Sequence, residues 1–74
     1  MRHVYVDSAG IRHHVKTAEH NIQMHLRLGC LNYQIGRRLR FNWVRYDVVN
    51  MSDEPITCLG CLAGEANDWL KEHG

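Results

Sequence analysis

Cys58 and Cys61 stand in "ITCLGCLAG", residues 56–64, at a spacing that brings two sulfurs to one tetrahedral ion, about 2.3 Å from each. At the first turn of a helix, both thiolates would also meet unpaired N–H groups and the positive end of the helix dipole, which favours the ionised form. A redox pair and half of a metal site use this arrangement equally well. The redox version follows a strand inside an alternating strand–helix fold, and 74 residues leave no room for one. A third cysteine, Cys30, has no place in a redox pair but completes a zinc site. The remaining reading is a set of unliganded thiols, with Cys30 acting as a small buried apolar side chain. Zinc is the expected cofactor.

Structural zinc takes four ligands and closes its shell. Histidine is the available fourth, and the chain has six: His3, His13, His14, His20, His25 and His73. Strand parity orders them. His13 shares an apolar face with Ile11 and Val15, the face Cys30 takes on the next strand, whereas His14 and His25 point the other way. His20 falls in a turn, where parity does not act. The expected ligands are therefore His13, Cys30, Cys58 and Cys61, with His14, His20 and His25 as the alternatives to His13. Three thiolates and an imidazole leave no open position for water, so the ion is expected to be structural and the chain not an enzyme. A nuclease built from His13 and His14 with Asn42 and His73 lacks a compact spacing.

The elements that must position these residues are short. "RHVYVDSAGIRHHVK" reads as a hairpin: Val4 and Val6 alternate with polar neighbours, "DSAG" supplies the turn, and Ile11 resumes the pattern. "TAEHN" reads as a second turn. "IQMHLRLGC" alternates strictly, with Ile22, Met24, Leu26, Leu28 and Cys30 on one face. After a break at Gly36, Leu39, Phe41 and Trp43 resume the alternation, which shifts phase at Val44 as if bulged. "NMSDEP" reads as a loop. Helical spacing then places Leu59, Leu62, Ala63, Ala66, Trp69 and Leu70 on one face, with Thr57 as N-cap and Gly74 at the end. Gly60 and Gly64 each weaken that helix by about 1 kcal/mol. The expected fold is α+β: one domain over residues 1–74, with three or four antiparallel strands over about 2–46. A loop follows at 47–55, then the Cys-x-x-Cys and helix over 56–72, in a treble-clef-like arrangement.

Composition narrows the setting. An apolar content of 45% suits a globular chain. No stretch reaches the roughly 18 apolar residues of a membrane span, and no apolar signal core opens the chain. An odd cysteine count without a signal points to a reducing compartment, the cytoplasm. A core this small needs a metal, a disulfide or a second subunit; exposed sheet edges make a homodimer one route.

The net charge of +1 conceals a division: residues 1–46 carry +6 and residues 47–74 carry −5. Either the surface has a basic and an acidic side, or the halves attract each other within the fold. "GRRLRFNWVRY", residues 36–46, concentrates Arg37, Arg38, Arg40 and Arg45 with Phe41, Trp43 and Tyr46. Arginines fork onto phosphate and exposed aromatics stack on bases, so Arg37, Arg38, Arg40, Trp43 and Arg45 are the candidate contacts for nucleic acid or an acidic protein. The plainer reading makes the aromatics core and the arginines a solvated face. Glu65, Asp68 and Glu72 along the helix read as a possible mask for such a surface.

The order His13, Cys30, then "ITCLGCL" at 56–62 resembles the very short single-zinc proteins of tailed phages, particularly those of actinobacterial hosts. In these a strand histidine is followed by a cysteine ending the next strand, and a terminal "VTCxxCL" leads into a short helix. Leu31 follows Cys30 where that pattern usually has glycine. The resemblance spans about half the chain and implies a zinc fold in the host cytoplasm. It implies little about function; small phage proteins often act by binding a host enzyme, so a host protein stands as the alternative partner to nucleic acid.

Overall fold

"DSAG" closes the first hairpin through chemistry specific to its residues. The Gly10 N–H donates to the Asp7 carbonyl at 3.0 Å, and Gly10 sits at φ +80°, a conformation glycine adopts without steric cost. Asp7 Oδ1 accepts the N–H groups of Ala9 and Ile11, the Asx capture that makes aspartate a turn residue. The computed structural model describes residues 1–30, 33–35, 38–40 and 42–74, with 33–35 and 38–40 described through their backbone.

The described strands, in chain order, are β1 (Arg2–Val6), β2 (Arg12–His20), β3 (His25–Leu28), β4 (Tyr33–Ile35), β5 (Arg38–Arg40), β6 (Trp43–Arg45) and β7 (Asn50–Ser52); α1 (Leu59–His73) follows. Five of them build one antiparallel sheet in the order β6-β3-β2-β1-β7, and β4 pairs with β5 as a separate hairpin. The α+β class expected from the sequence is thus observed, with more strands than the alternation revealed. Among the described residues no helix is long and apolar enough to cross a membrane.

Three local expectations differ from the structure. The strand β2 runs through "TAEH" to His20, with a register irregularity after Lys16. Its turn lies at Asn21–Met24, where Asn21 Oδ1 accepts the N–H groups of Gln23 and His25 and Met24 takes φ 60°. Ile22 and Met24 therefore leave the apolar face, and Ile22 is fully exposed. Within "NMSDEP", Asn50–Ser52 pairs with β1: an edge strand held by backbone bonds alone has no side-chain period to read. The phase shift at Val44 is present, since Val44 is buried while Trp43 is 36% exposed. Leu39 is described only in backbone, and Phe41 lies outside the described residues.

The largest difference concerns α1. Leu59, Leu62, Trp69 and Leu70 are 83%, 41%, 58% and 56% exposed, and Ala63 and Ala66 are exposed beside them. The face turned to the sheet instead carries Cys61, Gly64, Glu65 and Asp68, at i, i+3, i+4 and i+7. It lies across the sheet face that carries Arg2, His14 and Lys16. Glu65 pairs with Arg2 (2.8 Å) and approaches His14 (3.8 Å), and Asp68 pairs with Lys16 (3.2 Å). A Cβ on Gly64 would stand 2.4 Å from the Gly29 carbonyl oxygen, and one on Gly60 would touch Cys30. The two glycines that weaken the helix are what let its backbone reach the sheet. The described core is small: Val4, Val15, Leu28, Cys30, Val44, Ile56 and Cys61, with Tyr5, Leu26, Val49 and Cys58 packed against it.

Candidate metal centre

Each of four elements supplies one part of the centre. β2 presents His13, paired in register with Tyr5, whose ring lies 5.9 Å away. Cys30 follows the end of β3, where the Gly29 N–H donates to the His14 carbonyl at 2.7 Å and fixes the chain beside β2. The segment before α1 is clipped to the same place. The N–H groups of Thr57 and Cys58 both donate to the Arg12 carbonyl, and Arg12 N–H donates to Thr57 Oγ1 at 2.9 Å. Arg12 Nε donates to the Pro55 carbonyl at 2.7 Å, and its guanidinium pairs with Glu54. Thr57 therefore bonds across the fold instead of capping; Cys58 occupies the cap position, with no side-chain capping bond. Cys61 lies one turn later and is completely buried.

Four ligand atoms result, all within 4.8 Å of one another: His13 Nδ1 and the sulfurs of Cys30, Cys58 and Cys61. Cys30 Sγ is 3.2 Å from Cys61 Sγ, 3.4 Å from Cys58 Sγ and 3.2 Å from His13 Nδ1, and Cys61 Sγ is 3.8 Å from His13 Nδ1. The edges of a tetrahedron about zinc are close to these, about 3.8 Å between sulfurs and 3.5 Å from sulfur to nitrogen. All three cysteines are free thiols.

The electrostatics of the cluster fit a divalent cation. Burial pushes the Cys58 thiol up, but the Cys61 N–H and the Cys30 and Cys61 side chains outweigh it and hold it at about 7. Burial drives Cys61 far up, and its Cys30 neighbour adds to the shift. Burial also raises Cys30, against hydrogen bonds from Cys61 and Asn42. One thiolate is easily accommodated here; three in contact require a compensating positive charge.

Asp7 escaped the sequence reading. Its Oδ2 is 2.8 Å from His13 Nε2, the ring nitrogen turned away from the sulfurs. That bond lowers the Asp7 carboxyl below its ordinary value, with the Ile11 and Ala9 N–H groups acting in the same direction. With Nε2–H donating to Asp7, Nδ1 is left bare as a ligand, the carboxylate–histidine pairing common behind metal ligands. The available signal was the hairpin: its register brings the aspartate of "DSAG" back over His13.

The other histidines lie elsewhere. His14 projects to the opposite face of β2 beside Glu65, and burial lowers its pKa. His20 is exposed at the end of β2, and His25 lies on β3 opposite Arg45. His73 stacks on Trp69 at the far end of α1, 4.4 Å between ring centroids. His14 and His73 thus form no compact site with His13 and Asn42. Of the basic segment, Arg37 lies outside the described residues, and Arg38 and Arg40 are described in backbone alone, on β5. Trp43 and Arg45 belong to the edge strand β6, where Arg45 pairs with Asp47.

Comparison of the chain with protein-family models, with curated proteins and with solved structures yields no match.

Proposed function

We propose that this chain is a small binding domain built on one structural Zn²⁺ held by His13, Cys30, Cys58 and Cys61, with treble-clef-like ligand placement. The convergence of three sulfurs and a carboxylate-oriented imidazole from distant points of the chain carries this reading. The ion, when bound, supplies the charge that three thiolates need and ties β2, the end of β3 and α1 together. With sulfur and imidazole closing the shell, the role is structural and the domain acts by binding, not catalysis. Native mass spectrometry with and without chelator tests this. One zinc per chain and loss of the folded charge envelope on stripping are expected; a metal-free protein that still melts cooperatively overturns the reading.

For the partner, nucleic acid is the leading reading, on the arginines and aromatics of residues 36–46. Arg2, Arg12, Lys16, Arg27 and Arg45 all have carboxylate partners within the fold. Of the described cations that leaves Lys71, and the reading rests on the sequence cluster of Arg37, Arg38 and Arg40, close in the chain to Trp43. Binding to single-stranded DNA or RNA that weakens steeply with salt, and is lost in Arg38→Glu/Arg40→Glu, is expected. Absent or salt-insensitive binding rejects it.

The second reading is a protein-binding modulator of a host enzyme, with no nucleic-acid affinity. The same internal pairing of basic and acidic halves favours it, since among the described residues most of the basic side chains are already compensated. It also engages Glu65 and Asp68, so that a phosphate-mimicking mask would retain only Glu72 of the three. Neither a phage origin nor a cytoplasmic setting is needed for these tests.

A further inference from the structure

The helix α1 is inverted relative to an ordinary amphipathic surface helix: its charged and glycine face meets the sheet, and its apolar face meets water. Leu59, Leu62, Ala63, Ala66, Trp69 and Leu70 form one exposed stripe, extended by His73 stacked on Trp69. Burying that stripe inside this fold would mean breaking Glu65–Arg2 and Asp68–Lys16 and losing the approach of Gly64 to Gly29. The orientation is therefore held from within, and none of the described residues covers the stripe.

We propose that the occupant is a second copy of this chain, its α1 packed antiparallel on the first about a two-fold axis at Ala66. Two observations select this partner and a third bounds the strength of the pairing. The stripe has large residues at both ends, Leu59 and Leu62 at one and Trp69 and Leu70 at the other, with Ala63 and Ala66 between them. An antiparallel copy sets each bulky end against the other, while the alanines permit close approach at the centre. Secondly, no residue of the six carries a charge; of the carboxylates flanking the stripe, Glu65 is paired with Arg2, and Glu72, in a copy turned about Ala66, falls opposite residue 60, a glycine. A copy of the same face therefore brings no like charges together, and the two helix dipoles oppose. Thirdly, the area sets the strength of the pairing. A tryptophan offers roughly 200 Å², and with three leucines the stripe reaches the roughly 300–600 Å² of the largest patches on monomers. Two such stripes bury roughly 600–1,200 Å² in all, the range of weak, reversible complexes.

This pairing does not depend on the identity of the metal or of a nucleic-acid partner. It is tested on the purified, metal-loaded chain by sedimentation equilibrium and native mass spectrometry. The expected result is a dimer that dissociates on dilution. Ala66→Glu and Ala66→Lys each give monomers with metal content equal to wild type, which shows that they fold. Mixing these two variants restores a dimer, because position 66 faces itself across the axis. A wild type that stays monomeric at several hundred micromolar overturns the proposal. So does a dimer that survives both substitutions, or a pair of charge variants that fails to associate on mixing. Monomers that instead bind neutral phospholipid vesicles through the stripe assign the face to a lipid surface and overturn it equally.

Discussion

The two faces of α1 stabilise the molecule by opposite means. The inner face has almost no hydrocarbon: Cys61 faces the metal centre, Gly64 touches the Gly29 carbonyl, and Glu65 and Asp68 meet Arg2 and Lys16. The outer face has nearly all the helix's hydrocarbon and buries little of it. Partly exposed ion pairs contribute about 0–1 kcal/mol each, so the inner face cannot be held by charge alone. On the function proposed above, a zinc ion joining Cys58 and Cys61 to the ligands on β2 and after β3 would hold it. The difference teaches that a helix can be oriented against its hydrophobic pattern where a ligand cluster, glycines and ion pairs form its inner face, leaving the apolar side for something else.

The sharpest way to break that comparison is to remove the clamp. Stripping with chelator, or Cys61→Ser, is expected to abolish the cooperative melt followed by circular dichroism, a loss on the order of 10 kcal/mol. If helix and sheet stay docked without metal, ion pairing is a stronger agent here than its usual magnitude allows. A smaller perturbation keeps the ligands and moves the helix. Gly64→Ala places a Cβ 2.4 Å from backbone that belongs to the Cys30 segment, and neither side has a flexible end that can yield. Alanine is the better helix former by about 1 kcal/mol, yet overpacking costs about 1–3 kcal/mol. Net destabilisation by denaturant melt is expected; a more stable variant would show that the helix stands further from the sheet.

These contrasts also mark what a reader of the sequence could see. Parity placed His13 and Cys30 on one face because Ile11, Val15 and Leu28 alternate cleanly around them, and two-residue spacing paired Cys58 with Cys61. The α+β class followed from strands preceding a single helical period. The direction of that period was not legible. A 3.6-residue pattern tells which residues share a face but not whether the face points inward, and the usual assumption fails where the core is sulfur, glycine and ion pairs. Gly60 and Gly64 looked like flaws in a helix, since their partners, Cys30 and Gly29, lie some thirty residues away in sequence. Strand β7 was hidden for a different reason: three residues at an edge are held by backbone bonds that any side chains permit. Asp7 looked like turn chemistry, which it is, with one oxygen; its other oxygen serves His13.

That dual use allows a subtler test of the metal side. In Asp7→Asn, the carbonyl oxygen of the side chain keeps the turn by accepting from Ala9 and Ile11, so its NH₂ group faces His13 Nε2. An NH₂ there favours the tautomer with the proton on Nδ1, the wrong one for ligation. Zinc affinity, measured by competition with a chromophoric chelator, is expected to fall about 10–100-fold, with the helical signal of the saturated protein unchanged. Repeating the substitution in a His13→Cys background separates tautomer control from turn stability. With no imidazole to orient, the Asp7 change should then leave affinity unaltered, whereas a damaged turn lowers it in both backgrounds.

The smallest effect tests the outer face alone. Leu70→Ser removes a large apolar side chain from α1, and on a buried face such a truncation costs about 2–5 kcal/mol. Here Leu70 is more than half exposed, touches neither a metal ligand nor an ion pair, and lies past the last helix residue that pairs with the sheet. Measured at sub-micromolar concentration, where any self-association is dissociated, its stability is expected to stay within about 0.5 kcal/mol of wild type. Val15→Ala, a smaller truncation on the buried side of β2, should cost about 2 kcal/mol in the same assay. Were Leu70→Ser the more damaging of the two, the outer stripe would be packed within the monomer, and the inversion of α1 would be wrong. A deficit for Leu70→Ser that emerges only as concentration rises instead locates its contribution between chains, where mass action makes stability depend on the amount of protein present.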